Sequence, residues 1–336
     1  MIRLAILLAF AGFATAETKD LIYVSGKSSG AGGAREQTER ALRATGLKPK
    51  AVLNTTAYIT DAKHLPEVDL GYRDFFGKEF PTRTVLVAEL LTPGALVEIS
   101  ANGTRNPAAR RLIRNAYPES AAAECGGVLF LSGLHAPQPE QVMKEQEAVL
   151  QAAGFTFADL VLTKIYLAEP TAYTELNEVY KRFVTAPPPA RATIHAAPLR
   201  PGELLQIQSI AVRGSGEGRP SGKGHTSPIH SFSVKAGRRL YITGMTGRAP
   251  AGQLQPEIQA QARQSLATIA EQLERNGMGF ADVVETTVWL QKLHDFEAMR
   301  ALLPANGART VVQIPPSSKE ALVEIQMVAE ATHRPK

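Results

Sequence analysis

The sequence predicts an α+β fold built from one small domain used three times in tandem. Near the end of each third, a two-residue lead-in precedes an arginine: Pro81-Thr82-Arg83, Pro189-Ala190-Arg191 and Gly307-Ala308-Arg309. Fifteen residues after each arginine comes a β-rich phrase, Val97-Glu98-Ile99-Ser100, Leu205-Gln206-Ile207-Gln208 and Val323-Glu324-Ile325-Gln326. A period of about a hundred residues is the size of a domain, which sets this chain apart from solenoids of short units. Each copy also reads strand, helix, strand, helix, strand, strand, and two helices per sheet suggest helices gathered on one sheet face.

Taken in order, each copy opens with an apolar run that ends in a hydroxyl residue and a glycine. These pairs are Ser25-Gly26, Ser132-Gly133 and Thr243-Gly244. A variable loop leads to a polar segment with helical spacing; in the third copy Leu266, Ile269, Ala270 and Leu273 mark its apolar face. Gly46, Gly154 and Gly277 stand where a left-handed residue would end that helix. A β-branched strand follows, Leu53 to Ile59, Val161 to Leu167 and Val284 to Leu290, and a second helix begins near Leu65, Ala172 and Phe296. The arginine opens the next strand, and Pro93-Gly94, Pro201-Gly202 and Pro315-Pro316 turn the chain into the closing one. Only Thr18-Lys19-Asp20 precede the first apolar run of unit one, so its opening strand is expected to be missing. Each unit leaves one sheet face that the other copies must cover.

The first sixteen of the 336 residues read as a secretory signal peptide. Met1-Ile2-Arg3 is a basic lead, Leu4 to Phe13 is an apolar run too short to span a bilayer, and Ala14-Thr15-Ala16 has the form of a cleavage site. Cleavage after Ala16 gives a periplasmic or secreted protein of three units, 17–104, 105–213 and 224–336, with the Gly/Ser-rich stretch 214–223 as a linker. Cys125 is the only cysteine, which excludes an intrachain disulfide and suits a small packing residue. Part of the net charge of +5 sits in Arg105, Arg110, Arg111 and Arg114. Without interleaved aromatics this run reads as a solvated linker or linker helix rather than a nucleic-acid surface. No other segment has the roughly 18 apolar residues of a membrane span. The seven histidines lack metal-ligand spacing, and the Ser-Gly pairs lack a nucleophile-elbow context. The stretch Gly26 to Gly33 lacks the Lys-Ser/Thr of a phosphate loop.

These landmarks together resemble the Rid family, the RidA-like or YjgF-like reactive-intermediate deaminases. The second unit carries them most plainly, in Leu131-Ser132-Gly133, Asn177-Glu178-Val179-Tyr180 and Pro189-Ala190-Arg191; the third adds Glu285-Thr286-Thr287-Val288 and Leu322-Val323-Glu324-Ile325. The resemblance implies chorismate-mutase-like units whose sheets form a barrel-like core with helices outside. It also implies ligand clefts between units, so that a single chain would act as an internal pseudo-trimer.

The activity it implies is hydrolysis of small 2-imino or enamino acids to 2-oxoacids and ammonia, which requires no metal or organic cofactor. On this reading Arg83, Arg191 and Arg309 anchor the substrate carboxylate as planar forks. Glu98 and Glu324 position and polarise water. Gln206 takes the place of the second unit's glutamate, and since an amide takes no proton near neutral pH, its cleft is expected to bind without turnover. The Ser/Thr-Gly pairs bring backbone to the ligand, Asn177 matches a family contact that Asp69 and Arg300 replace in the other copies, and Tyr117 lines a cleft where unit three has Ile229-His230. His195, four residues after Arg191, is a candidate to compensate for Gln206, against the alternative of a strand histidine with a structural hydrogen bond. The partner implied is a small carboxylate-bearing imine, enamine or 2-oxoacid, with no nucleic acid and no membrane. Two other readings stay open: a non-catalytic carboxylate binder or chaperone-like Rid protein, and a chorismatase-like enzyme.

Overall fold

Strands in every unit are buried on both faces, and the two faces bury against different partners. The computed structural model describes residues 15–114, 119–184, 187–215, 227–249 and 252–331. The leader up to residue 14, most of the expected linker and Tyr117 lie outside the described residues. In the strand Val52–Ile59, Val52, Ala57 and Ile59 pack against the helices Ala34–Ala44 and Leu65–Phe76 of their own unit. Leu53 and Tyr58 face the opposite way, an irregularity in register between Val52 and Asn54 setting the first residues out of step with the two-residue period. The strands Leu160–Leu167 and Val283–Leu290 divide alike. Each unit therefore owns one helix-on-sheet core, and two further clusters draw on all three units. One gathers Leu21, Phe130 and Tyr241, the other Tyr58, Tyr166 and Trp289.

The units are three repeated α+β layers with mixed sheets and six α-helices among the described residues. In each, the central strand runs parallel to the arginine strand (Thr82–Val87, Ala190–His195, Ala308–Gln313) and antiparallel to the closing strand (Val97–Thr104, Leu205–Val212, Val323–Glu330). Gly46, Gly154 and Gly277 end the first helices at φ of 73°, 76° and 71°. The second helices begin at Leu65, Ala172 and Phe296, the last being only Phe296–Met299.

Several expectations are corrected. Strand pairing gives separate sheets of five, seven and seven strands, not a closed barrel. Among the described residues, Glu89–Leu90 of unit one pairs with Ala308–Gln313 of unit three, and isolated bridges join Ala190 to Ser231 and Ile194 to Pro316 between units two and three. The centre is also partly polar: the Gln208 amide reaches Asn54 and Thr56 of unit one at 3.4 and 3.3 Å, near Lys164 and Glu285. Unit one has an opening strand, Thr15–Glu17, paired with Leu21–Ser28, and two of its three residues lie on the leader side of the expected cleavage point. The basic run is more than a linker: Arg105, Arg111 and Arg114 are exposed as expected, but the Arg110 side chain is not. Arg111–Arg114 is a strand, and Arg110 is buried, donating to the carbonyls of Pro49 and Val52 and pairing with Glu79 at 2.8 Å.

The outer edge of each arginine strand is closed by the Ser/Thr-Gly pair of the next unit. The backbone N–H of Arg83 donates to Ser132 Oγ at 3.0 Å, that of Arg191 to Thr243 Oγ1 at 2.8 Å, and that of Arg309 to Ser25 Oγ at 2.8 Å. The first two hydroxyls donate onward to the carbonyls of Ser120 and Ser231. An edge strand otherwise presents unpaired backbone groups, and here side-chain hydroxyls satisfy them. Thr243→Val keeps the shape but strands a buried N–H and carbonyl, at a cost of about 1–3 kcal/mol. Thermal or urea denaturation should show that loss, and a variant as stable as the parent would rule the latch out as a stabilising contact.

Candidate active site

The register of each unit decides where a site can form. Arg83 pairs with Thr55 and Glu98 with Tyr58, positions three apart on one strand. An odd separation puts the two side chains on opposite sheet faces, so the arginine and glutamate of one unit do not share a cleft. Arg191 and Gln206, set by Thr163 and Tyr166, are separated in the same way, as are Arg309 and Glu324, set by Thr286 and Trp289.

What the arginine meets is the next unit. A Cβ on Gly26 would lie 2.0 Å from Glu98 Oε1, one on Gly244 2.0 Å from Glu324 Oε1, and one on Gly133 2.7 Å from Gln206 Nε2. Each glycine thus lies over the acid or amide of its own unit, while the hydroxyl before it latches the preceding unit's arginine. The seams are Arg83 with Ser132, Gly133 and Gln206; Arg191 with Thr243, Gly244 and Glu324; and Arg309 with Ser25, Gly26 and Glu98.

The seams differ in charge. Arg83, expected to anchor substrate, is occupied by protein. It pairs with Asp69 at 2.7 Å and Glu119 at 3.4 Å and lies over the Tyr72 ring. Burial works against its charge, yet Glu119, Tyr72 and Asp69 hold its pKa above the usual arginine value. Its seam also holds Gln206, whose amide donates to the Gly133 carbonyl at 3.3 Å.

Arg191 is the opposite case. It is 4% exposed, yet neither terminal guanidinium nitrogen has a hydrogen-bond partner among the described residues. Its Nε donates to Thr193 Oγ1 at 3.0 Å, and the Tyr180 and Tyr173 rings lie 5.0 and 5.7 Å from the guanidinium carbon. Burial pulls its pKa below the usual value despite Tyr180, Tyr173 and Glu324. Asn177 replaces Asp69 here, with an unpartnered, buried Oδ1. His230 replaces Glu119, since Ser120 and Ser231 each stand twelve residues before their latch hydroxyl. Arg191 and Glu324 line one cavity of about 810 Å³, with Tyr173, His230, Phe232, Met245 and Arg248 on its walls. Burial pushes Glu324 up to about 8, against the pull of the Thr193 backbone N–H and Arg191.

At the third seam Glu98 is pushed up to about 7 by burial, with Ser28 pulling the other way. The Arg309 guanidinium donates to the Pro304 carbonyl, and burial lowers its pKa. Arg300, where Asp69 stands in unit one, pairs with Glu297 at 3.0 Å. His195 and Gln206 are set by neighbouring positions of the central strand, Leu167 and Tyr166, and so lie on opposite sheet faces. The His195 backbone N–H donates to Pro315 of unit three, and burial and Lys319 depress its pKa. Sequence reasoning missed Glu119, Tyr173, Phe232, Met245 and Arg248; aligning the latch serines would have exposed the exchange of Glu119 for His230.

The sequence model of the Endoribonuclease L-PSP family matches three times, at residues 1–104, 120–213 and 225–331, and the chain belongs to that family. It is 34% identical over 110 residues to protein DfrA of Myxococcus xanthus, covering 29% of this chain and 84% of that one. It is 33% identical over 85 residues to the human 2-iminobutanoate/2-iminopropanoate deaminase, covering 25% of this chain and 62% of the enzyme, less than two thirds of its length. A solved chorismatase is similar over 94% of this chain and 99% of its own, at a TM-score of 0.58 and 14% identity, a likeness of fold alone.

The raised carboxylates have a consequence for stability. Between the ordinary carboxyl value of 4.5 and about 8, Glu324 keeps its proton in the folded state, whereas the unfolded chain has lost it. Stability therefore falls as pH rises through that window, by on the order of a few kcal/mol. Glu324→Gln should raise the thermal midpoint at pH 9 well above the parent's and change it little at pH 4. An equal shift at both values would show that Glu324 ionises normally.

Proposed function

We propose that this chain is a Rid-type deaminase that hydrolyses 2-imino or enamino acids to 2-oxoacids and ammonia, chiefly at the seam between units two and three. The observation that carries the reading is Arg191: a buried guanidinium with both terminal nitrogens unpartnered, on the wall of a cavity that also holds Glu324. Such a group calls for a planar anion, and a carboxylate accepts two parallel N–H bonds from it. The three latches, each from one unit to the next and from the third back to the first, support closure as a pseudo-trimer. The leader sequence supports action after export. The name of the human relative supports the substrate class.

In the reaction, Arg191 holds the carboxylate and fixes the C=N carbon near Glu324. With its carboxyl pushed to about 8, Glu324 is protonated near neutrality and donates to the imine nitrogen. The carboxylate so formed accepts a proton from the water that adds to carbon. The glutamate, protonated again by that water, gives its proton to the amino nitrogen of the carbinolamine and takes the hydroxyl proton as C=O forms and ammonia leaves, so the carboxyl ends in the state in which it began. Gly244 is required because any side chain there would displace the Glu324 carboxylate.

The seam of Arg83 and Gln206 favours a separate role without turnover, since its guanidinium is already neutralised and its amide cannot exchange a proton.

Ammonia release from freshly generated iminopropanoate by the mature protein tests the reading. Arg191→Ala and Glu324→Gln should each lower the rate of their seam by about 10²–10⁴-fold, leaving only what Glu98 and Arg309 supply, and Arg83→Ala should matter far less. In the parent, kcat/KM should fall as pH rises through about 8, where Glu324 loses its proton. Unchanged rates in both Arg191→Ala and Glu324→Gln would refute the assignment.

A further inference from the structure

The cavity over Arg191 is much larger than a three-carbon imino acid needs. Its volume of about 810 Å³ lies towards the upper end of the roughly 300–1,000 Å³ of pockets that bury drug-sized ligands. A three-carbon ligand would leave most of it to water, which weakens every charge interaction that the site relies on.

Two guanidiniums stand at different places on the wall. Arg191 stands buried at one position, and Arg248, just after the strand Met245–Thr246, stands exposed at another. Besides Glu324, the carboxylate on the wall is Glu271, which is already paired with Arg275 at 2.6 Å. Arg248 is held in place without being used up. One terminal nitrogen donates to the Gly252 carbonyl and the other to Ser318 Oγ at 3.4 Å, while a guanidinium has five N–H donors. Phe232 and Met245 add apolar surface on the same wall, suited to methylene groups.

We propose that this seam selects 2-imino acids whose side chain ends in a second carboxylate, Arg191 taking the carboxylate beside the imine and Arg248 the distal one. The selectivity rests on the deaminase reading and adds no new chemistry. Water supplies the oxygen of the new C=O bond, the C=N bond breaks, and the products are a 2-oxo diacid and ammonia. Both ends of such a substrate would be held as charge-assisted pairs, and its methylenes would displace water from the middle of the cavity.

The test compares imines generated in situ from alanine, leucine, glutamate and 2-aminoadipate by an amino-acid oxidase, their decay followed by trapping with semicarbazide. The glutamate- and aminoadipate-derived imines should show kcat/KM values about tenfold or more above the alanine-derived one, as one well-placed charged contact is worth. Arg248→Gln should collapse that ratio, and Arg248→Glu should turn the preference towards the leucine-derived imine, a reversal that a merely structural arginine would not produce. Equal values for the alanine and glutamate imines, or a preference that survives both substitutions, overturns the selectivity while leaving the deaminase reading in place. If no imine is hydrolysed, the deaminase reading fails, and calorimetry with 2-oxoglutarate and pyruvate decides the selectivity. Tighter binding of 2-oxoglutarate that is lost in Arg248→Gln supports it, and equal binding of the two overturns it.

Discussion

The backbone latch between an arginine strand and the next unit's Ser/Thr-Gly pair is the contact on which the rest of the molecule depends. It closes the edge strand, and it delivers a guanidinium from one unit to a carboxyl or amide of the next. Without it the register of each unit would hold those groups apart, since strand parity sends them to opposite faces of their own sheet. A cleft in this fold is therefore a product of two units by geometric necessity. The glycine of the pair has an equally direct reason: its missing Cβ is the space that the Glu98 or Glu324 carboxylate occupies.

A shared scaffold with three seams lets single residues set each seam's chemistry. Asp69 and Glu119 fill the place of a ligand on Arg83, and Gln206 removes the ionisable group beside it. At the next seam Asn177 and His230 stand at those two positions, and the guanidinium of Arg191 is left buried without an anion. Burying a charge without hydrogen-bond partners is costly, so Arg191 and Glu324 are where this seam carries its least compensated polar groups. The third seam lies between these cases, with a raised Glu98 and an arginine that donates to its own unit's backbone.

Much of this was legible in the chain. Glycines 46, 154 and 277 marked the helix ends because only a residue without a side chain adopts positive φ there cheaply. The repeat fixed the number of units, and the helix starts at Leu65, Ala172 and Phe296 followed from apolar spacing. The candidate arginines, acids and glycines were also found, but not their partners. Arg110 read as solvated because charge in a run suggests exposure, whereas the carbonyls of Pro49 and Val52 and the carboxylate of Glu79, from two separate segments, take up its guanidinium. For His195 strand parity gave the face it shares with Arg191, but parity locates a side chain relative to its own sheet and says nothing of the unit opposite.

By itself the sequence determined which residues recur, and therefore three alike units with an arginine, a small hydroxyl-glycine pair and an acid or amide in each. Local propensity and periodicity suffice for that, because they act within a few residues along the chain. Only the tertiary structure decided that Arg191 belongs with Glu324 and Arg83 with Gln206, and that one guanidinium is paired by Asp69 and Glu119 while another is not. Those facts depend on which edge strand meets which neighbouring turn, a contact between residues about fifty positions or more apart, whose charge balance no local pattern encodes.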